Sequence, residues 1–493
     1  MAGPPVGEFD AAALLAQLPV RPERITADSR KVRIGDTFAA VRGQQGDGRE
    51  FIADAIARGA GAILWEARGF HWNAAWHVPN VPVDDLRGKL GAIADSIYNH
   101  PSSDLWIAGV TGTNGKTSCS QWIAQCLESC GRRAAVLGTL GNGLVGTLAP
   151  AEHTTADAAR VHEMLGEFRS AGARAVAMEV SSHALDQGRV NAVQFDVALF
   201  TNLTRDHLDY HGTMGAYGAA KAKLFAWPGL ATAVINVDDP FGQSLVESLR
   251  ARDRRVLTYG LGGADITAIS LKAGTDGMEL VVATPWGRGE VQTHLIGTFN
   301  AQNALGVLGV LLAGDIALDD ALGALARVRP PPGRMQFLGG GFEPLVVIDY
   351  AHSPDALEKV LTTLRSAVVE AGQLVCVFGC GGDRDAGKRP EMGRIAATHA
   401  DRTIVTNDNP RSENPETIVT SILRGIREAG ASPFAVELDR AAAIHAAVLT
   451  AHAGDVVLIA GKGHEDYQET HGVRVYFSDL ETATAALAAW RGA

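Results

Sequence analysis

GVTGTNGKTS, residues 109–118, decides the reading of the chain. The apolar run LWIAGV leads into it, and Cys119, Trp122, Ile123, Cys126, Leu127 and Cys130 follow at helical spacing. A buried strand, a glycine-rich turn and a helix in succession form a phosphate cradle, because backbone amides converge there and the helix dipole draws anions. Lys116 then reaches the terminal phosphates, and the Thr117 hydroxyl is placed to ligate Mg²⁺. The usual GxxxxGK[ST] spacing asks for glycine where Val110 stands; this chain has TGTNGKT, with Gly112 inside the loop. A loop that only turns the chain is the plain alternative, and it does not require Lys-Thr at the helix start. Gly112, Thr113, Asn114, Gly115, Lys116, Thr117 and Ser118 are the expected nucleoside triphosphate loop.

Outward from this loop, apolar runs recur at RAAVLGT, ARAVAMEV, FDVALFTNL and ATAVINV, with helical patterns between them. That alternation predicts a mainly parallel sheet with crossover helices. VRPPPGR, residues 328–334, cannot continue a helix and reads as a linker. Beyond it PLVVIDY, QLVCVFG, DRTIVTN, FAVELD and DVVLIAG predict a second doubly wound domain. Before the loop, residues 1–100 hold short strands and two helical patterns, the second near 86–98 and closed by HPSSD. The expected class is α/β in three domains: a small N-terminal domain over 1–100, a central phosphate-loop ATPase domain over 101–329 and a Rossmann-like domain over 330–493.

Composition narrows the function. At 493 residues, 46% hydrophobic and 20% charged, the chain is too long for one core and too apolar for wholesale disorder. A net charge of −11 argues against a nucleic-acid surface. Five cysteines, without CxxC spacing, give neither a disulfide framework nor a zinc site; Cys119, Cys126 and Cys130 read as a buried helix face. MAGPPVGEFD lacks the regions of a signal peptide, and no apolar run is long enough to span a membrane, so a cytoplasmic monomer is expected.

Several further groups could serve a phosphate site. AMEVSSHAL puts Glu179 at a strand's carboxyl end, TNLTRDHLDYHG offers His207 beside Asp206 and Asp209, and GAAKAKLF supplies Lys221 on a helix. Singly these read as a surface acid, a hydrogen-bonded loop histidine and a solvated lysine. GTFNAQN offers Asn300 and Asn303, whose amides can face a base edge. GRMQ contributes Arg334, and VVIDYAHSPDAL contributes Asp349 and His352.

TGTNGKT resembles the ATP loop of the Mur ligases and folylpolyglutamate synthases, which make amide bonds through an acyl phosphate. The order of the other motifs is similar to that of the Mur ligases. The resemblance implies that Thr117 and Glu179 hold one Mg²⁺, that His207 helps hold a second, and that Lys221 is carbamylated and serves the metals. It implies that Lys116, Glu179, His207 and Lys221 are catalytic, and that Asn300, Asn303, Arg334, Asp349 and His352 surround ATP. ITADSRKVRIGDTFAAVRG resembles a UDP-holding segment, implying roles for Ala27, Ser29, Gln44, Gln45 and Gly46. HTT, SSHAL and DQGRV resemble segments that hold a muramoyl dipeptide, implying roles for His153, Thr154, Thr155, Ser181, Gln187 and Arg189; each Ser or Thr alone reads as a helix cap. His153 and Ala156 stand where asparagine and proline are frequent, and Gln44 stands where histidine is.

VTNDNPRSENP, residues 405–415, is a stiff polar corner, and a turn needs no arginine. Asp408, Asn409, Pro410 and Arg411 form DNPR, which resembles the signature of family members that add meso-2,6-diaminopimelate, not L-lysine, to the muramoyl dipeptide. Arg384, Gly461, Lys462 and Glu465 sit at other predicted strand ends of the same domain. Two arginines and a carboxylate suit an amino acid with a second ammonium-carboxylate head. The expected reaction is ATP-dependent amide formation on a UDP-muramoyl dipeptide. A lysine-adding sister ligase and a non-catalytic ATP-binding switch are the alternatives.

Overall fold

The computed structural model describes residues 9–43, 46–274, 277–369 and 371–491. The described residues form three sheets with parallel cores and one short hairpin. In the first sheet β1 (Ile25–Thr26), β2 (Thr37–Ala40), β3 (Ala62–Glu66) and β4 (Asn80–Val83) lie parallel in sequence order. Helix Leu86–Ile97 covers one face through Leu86, Leu90 and Ile93. The same apolar cluster takes in Ala158 and Ala159 of helix Ala158–Ser170, which docks the first sheet on the second.

The second sheet is built around the strand that precedes the phosphate loop. Its members are β5 (Trp106–Thr111), β6 (Ala134–Gly138), β7 (Gly141–Leu144), β8 (Ala175–Glu179) and β9 (Val197–Phe200), then β10 (Thr232–Asn236), β11 (Val256–Gly260), β12 (Ile266–Gly274), β13 (Gly277–Thr284) and β14 (Gly287–Thr293). The order is β14-β13-β12-β11-β10-β9-β5-β8-β6-β7. From β12 to β6 the pairing is parallel; β7, β13 and β14 are antiparallel. β5 is central because its run Ile107–Thr111 is wholly buried, as a strand covered on both faces must be. One face is covered by helices Lys116–Ser129, Thr298–Ala313 and Leu318–Leu325, the other by Ala158–Ser170 and Pro240–Arg250. Ile123 and Leu127 are fully buried in this packing, each contributing about 1.5–3 kcal/mol.

The third sheet has the order β15-β16-β20-β17-β18-β19, from β15 (Gln336–Gly339), β16 (Leu345–Asp349), β17 (Leu374–Phe378), β18 (Arg402–Val405), β19 (Ala435–Val436) and β20 (Val456–Ala460). β15 is antiparallel and the rest are parallel. β20 returns between β16 and β17, so the strand order reverses there and leaves a crevice beyond their carboxyl ends. The hairpin β21 (Tyr467–Thr470) and β22 (Val473–Tyr476) lies over that end, bridged to Arg411.

Two expectations need correction, and the mainly parallel central sheet carries an addition. The central sheet is not only a crossover sheet: β12–β14 form an antiparallel extension whose long strands alternate buried and exposed residues. FAVELD makes only the two-residue edge strand β19, because Pro433 precedes it and its outer side lacks a partner strand. Cys130 is half-exposed at the helix end, whereas Cys119 and Cys126 are buried as expected.

Candidate active site

The register of β5 aligns Val110 with Glu179 and Thr111 with Phe200, so the loops after β5, β8 and β9 open on one edge. Glu179 is fully buried there. Thr117 Oγ1 donates to its Oε2 at 2.9 Å, while the Thr139 amide and hydroxyl donate to Oε1 and Oε2 at 2.8 and 3.1 Å. Thr139 follows β6 and carries no motif, so sequence reasoning missed it. Thr155 Oγ1 donates to the Glu179 carbonyl at 2.8 Å, and the hydroxyls of Thr139 and Thr154 lie in hydrogen-bond contact at 3.0 Å.

Two lysines converge on one backbone oxygen. Lys116 Nζ donates to the carbonyls of Gly112 and Thr113, both at 2.9 Å, and Lys221 Nζ donates to the same Gly112 carbonyl at 2.7 Å. Lys221 is 1% exposed; burial, then the charge of Lys116, press its amine well below the usual lysine value. Burial lowers Lys116 as well, against the pull of Glu179 and Asp206.

Beside the lysines, His183, His207, Tyr210 and His211 pack as an aromatic cluster, with His183 centred 4.9 Å from His207 and 4.1 Å from Tyr210. Burial pushes His207 down to about 3, overriding Asp206 at 3.5 Å. Burial and the charges of His211 and Arg189 push His183 down to about 4. Burial raises the Asp206 carboxyl, but His352, His207 and Lys388 outweigh it and hold the group well below the carboxylate range. His183 lay inside a quoted motif without being singled out; only its packing against His207 marks it.

Glu179 and Thr117 are oxygen ligands that suit a hard divalent cation, and a neutral His207 can add nitrogen. Among the described residues no three His, Cys, Asp or Glu side chains converge as a metal-binding group. A cation here therefore needs phosphate oxygens or a modified Lys221 to complete its shell.

Three contiguous cavities share this edge. The first is lined by Asn114, Gly115, Ser118, Asn300, Asn303, Arg334 and Asp349. Asn300 Nδ2 donates to the Ile296 carbonyl at 2.9 Å and Asn303 Nδ2 to Asn300 Oδ1 at 3.3 Å, so these amides are partly committed to each other and to backbone. Asp349 accepts the amides of Met335 and Ala351, each at 2.8 Å. Arg334 lies over the Tyr350 ring at 4.2 Å and donates to Thr117 Oγ1 at 3.3 Å, while its buried Nε has no partner among the described residues. Asn114 Nδ2 donates to Asp355 Oδ2 at 3.0 Å, linking the phosphate loop to helix Pro354–Arg365 beside the third sheet.

The second cavity holds Thr113, Lys116, Thr117, Glu179, His207 and Lys221 together with His153, Thr154, Thr155, Ser181, Arg189, His352 and Arg384. Ser181 also caps helix Ser182–Asp186, its side chain accepting the Ala184 amide. Gln187 lines none of the three cavities; its Oε1 accepts from Arg189 Nε and Nη2 and aims that arginine. Ala27, Ser29 and Gly46 also lie away from these cavities, and Ser29 is buried in a 3₁₀ turn. Gln44 and Gln45 are outside the described residues. Lys31, paired with Glu152 at 2.7 Å, ties the Ser29 turn to the His153 segment.

The third cavity, about 620 Å³, lies at the carboxyl ends of β17, β18 and β20 and is lined by Arg384, Asp408, Asn409, Arg411, Gly461 and Glu465. Such a volume suits a small-molecule site. Pro410 stands behind it, its carbonyl accepting the Glu413 amide. Arg411 has φ +51° and is fixed by backbone: its amide donates to Glu469, its carbonyl accepts from His471, and its Nη1 donates to the Gly382 carbonyl at 2.7 Å. Among the described residues neither Arg384 nor Arg411 pairs with a carboxylate within 4.0 Å, although Arg389 beside them pairs with Glu413 at 2.7 Å. Glu465 accepts from Asn409 Nδ2 at 2.8 Å and from fully buried Lys462 at 3.2 Å. Gly461, at φ +117°, is required because a Cβ there would stand 2.5 Å from Asp408 Oδ2.

Comparison with known proteins agrees with this geometry. Residues 23–98 match the model of the Mur ligase family catalytic domain, 110–311 the Mur ligase middle domain and 333–463 the Mur ligase glutamate ligase domain. The UDP-N-acetylmuramoyl-L-alanyl-D-glutamate–2,6-diaminopimelate ligase of Chromobacterium violaceum is 54% identical over 479 residues, 97% of each chain. The protein of that name from Ectopseudomonas mendocina is 54% identical over 473 residues, 95% of this chain and 96% of its own. A solved structure of a ligase of that name is 38% identical, with a TM-score of 0.66 over 96% of both chains. The phosphate loop, the three sheets and the three family matches in order along the sequence lead to one conclusion: the chain belongs to the Mur ligase family.

Proposed function

We propose that the protein uses ATP to join meso-2,6-diaminopimelate to the D-glutamyl residue of UDP-N-acetylmuramoyl-L-alanyl-D-glutamate, releasing ADP and phosphate for peptidoglycan synthesis. The observation that carries the reading is Arg411, held by its own backbone at the rim of a cavity continuous with the phosphate loop and free of a carboxylate partner among the described residues. Relatives 54% identical over nearly their whole length, named as ligases of this kind, support it.

Residues 1–100 would take the nucleotide end of the muramoyl substrate, 101–329 ATP and 330–493 the amino acid. The γ-carboxylate of the D-glutamyl residue attacks the γ-phosphorus of ATP; the bond to the β,γ-bridging oxygen breaks and an acyl phosphate forms. The free amine of diaminopimelate then attacks that carbonyl, and the tetrahedral intermediate expels phosphate. Lys116, with two carbonyls as its present partners, turns to the transferring phosphoryl oxygens and balances their growing charge. Arg334, stacked on Tyr350 and with no partner for Nε among the described residues, serves the same phosphates. Arg189, aimed by Gln187, orients the dipeptide. Arg411 and Glu465 receive the distal carboxylate and ammonium of the amino acid.

Mg²⁺ would be held by Thr117 and Glu179, with His207 and carbamylated Lys221 serving a second ion, and would supply charge neutralisation at the phosphates. Lys221 fits that modification because burial and Lys116 press its amine toward the neutral form, the form that adds to carbon dioxide. L-Lysine lacks the distal carboxylate and would leave Arg411 unmatched, at a cost of about 10⁴-fold in selectivity. Phosphate release with the purified protein, ATP and the UDP-muramoyl dipeptide tests the reading, with meso-diaminopimelate and L-lysine supplied in parallel. Release with diaminopimelate alone is expected. Release with lysine instead would discard the role of Arg411, and ATP binding without release in either case would leave an ATP-dependent switch.

A further inference from the structure

A second cation of the third cavity remains without a task. Helix Lys388–His399 begins with Lys388 and Arg389, both buried, at 5% and 2% exposure. Arg389 is answered by Glu413 at 2.7 and 2.9 Å. Lys388 is not: among the described residues its Nζ makes no hydrogen bond and no ion pair. It stands in the first turn of a 12-residue helix, where the dipole is already positive and a lysine is unfavourable. A buried lysine in that place, answered only at a distance by Asp206, is a cost to the fold. The group also lines the third cavity, at the end where Asp206, His207, His352 and Arg384 join it to the phosphate-loop cavity.

Lys388 is within electrostatic reach of Asp206, but among the described residues no carboxylate comes within 4.0 Å of it. Asp206 lies between His207 at 3.5 Å and His352 at 3.6 Å, and Asp385 pairs with Arg205 at 3.1 Å. Lys388 therefore stands beside Asp206 as a buried lysine without a close counter-charge, at the phosphate end of the amino-acid cavity.

We propose that Lys388 binds the carboxylate of the incoming amino acid that flanks its attacking amine, and so sets the amine against the acyl phosphate. The inference rests on the ligase reading and deepens it. An α-amino acid entering amine-first brings that carboxylate with it toward a site already crowded with phosphate charge. A cation at the junction neutralises it without meeting the distal head, which belongs to Arg411 and Glu465. Lys388 touches substrate but transfers no proton.

Lys388→Met and Lys388→Arg test this in the full-length protein. With Lys388→Met the KM for meso-diaminopimelate is expected to rise about 10- to 100-fold, the range of one charge-assisted hydrogen bond, and the KM for ATP to stay put. Acyl phosphate formation is read separately, without amino acid, from positional isotope exchange of β,γ-bridging ¹⁸O in ATP with the UDP-muramoyl dipeptide present. That exchange should equal wild type, and Lys388→Arg should recover part of the KM. Thermal denaturation guards against misfolding: removal of an unpaired buried cation should leave the unliganded midpoint unchanged or higher. A parallel fall in isotope exchange would assign Lys388 to the phosphoryl group instead and overturn the proposal, as would an unchanged KM. Failure of the ligase reading itself is separate, since wild type would then release no phosphate with either amino acid.

Discussion

Asp479→Asn in the third domain should weaken the protein and its grip on the amino acid together. Arg440 and Asp479 are both fully buried; Nε and Nη2 donate to the two carboxylate oxygens at 2.7 and 2.8 Å. The same guanidinium donates to the Asn407 carbonyl at 3.1 Å and the Ala460 carbonyl at 3.0 Å. Those carbonyls lie at the ends of β18 and β20, immediately before Asp408–Arg411 and Gly461–Glu465. Neutralising Asp479 leaves a buried guanidinium without its counter-charge, a loss of about 3–5 kcal/mol. Hydrogen exchange read by mass spectrometry on peptides covering β17, β18 and β20 measures this loss where it occurs; their opening free energy should fall by about that amount, with β5 and β8 unaffected. The KM for meso-diaminopimelate should rise while isotope exchange without amino acid persists. The double variant Arg440→Met/Asp479→Leu removes both charges and should recover most of the stability, but not the KM, because the two carbonyls lose their donor. A single variant within about 1 kcal/mol of wild type, below the range for a broken buried pair, would refute the reasoning, and so would a double variant no better than the single.

Thr139→Val deletes one donor to Glu179 while the Thr139 amide keeps the other, so the carboxylate stays but loses orientation; steady-state kinetics should show kcat lower by about 10-fold, the lower end for a bond to a charged group. Gly112→Ala puts a methyl 1.8 Å from Thr201 Oγ1 at φ +152°, and titration with a fluorescent ATP analogue should detect no binding. His183 and His207 sit below the ordinary histidine value of 6.5 when folded, so between that pH and about 4 the unfolded chain binds more protons. Stability is therefore fully present above about pH 6.5 and declines as pH falls, by linkage; thermal melts of His183→Gln across this window should decline less steeply than wild type.

The phosphate site was legible because its chemistry is local: strand, loop and helix start follow one another within a dozen residues, and spacing alone orients Lys116 and Thr117. The DNPR corner was legible for a similar reason, since Arg411 is unnecessary to the turn that carries it. What escaped depends on partners distant in sequence. Thr139 reaches Glu179 across 40 residues, and Arg440 meets Asp479 across 39, pairings that no periodicity announces. Lys388 reads as an ordinary helix lysine until its burial and its lack of a close ion-pair partner among the described residues are seen together. The β12–β14 extension escaped because its long strands alternate polar and apolar residues, unlike the continuous apolar runs of the buried parallel strands.

The carbonyl of Gly112 draws two lysine amines at once, from Lys116 at 2.9 Å and Lys221 at 2.7 Å. Burial and the charge of Lys116 press the Lys221 amine well below the usual lysine value, so a second positive charge beside that oxygen is held at a penalty. The pocket is in this sense under electrical tension before any ligand arrives. Phosphate oxygens entering there would relax it, so part of nucleotide affinity is stored in the waiting protein rather than created on contact. Converting Lys221 to an anion would spend the same store in advance, and the modified and unmodified forms should then differ in phosphate affinity even with identical shape.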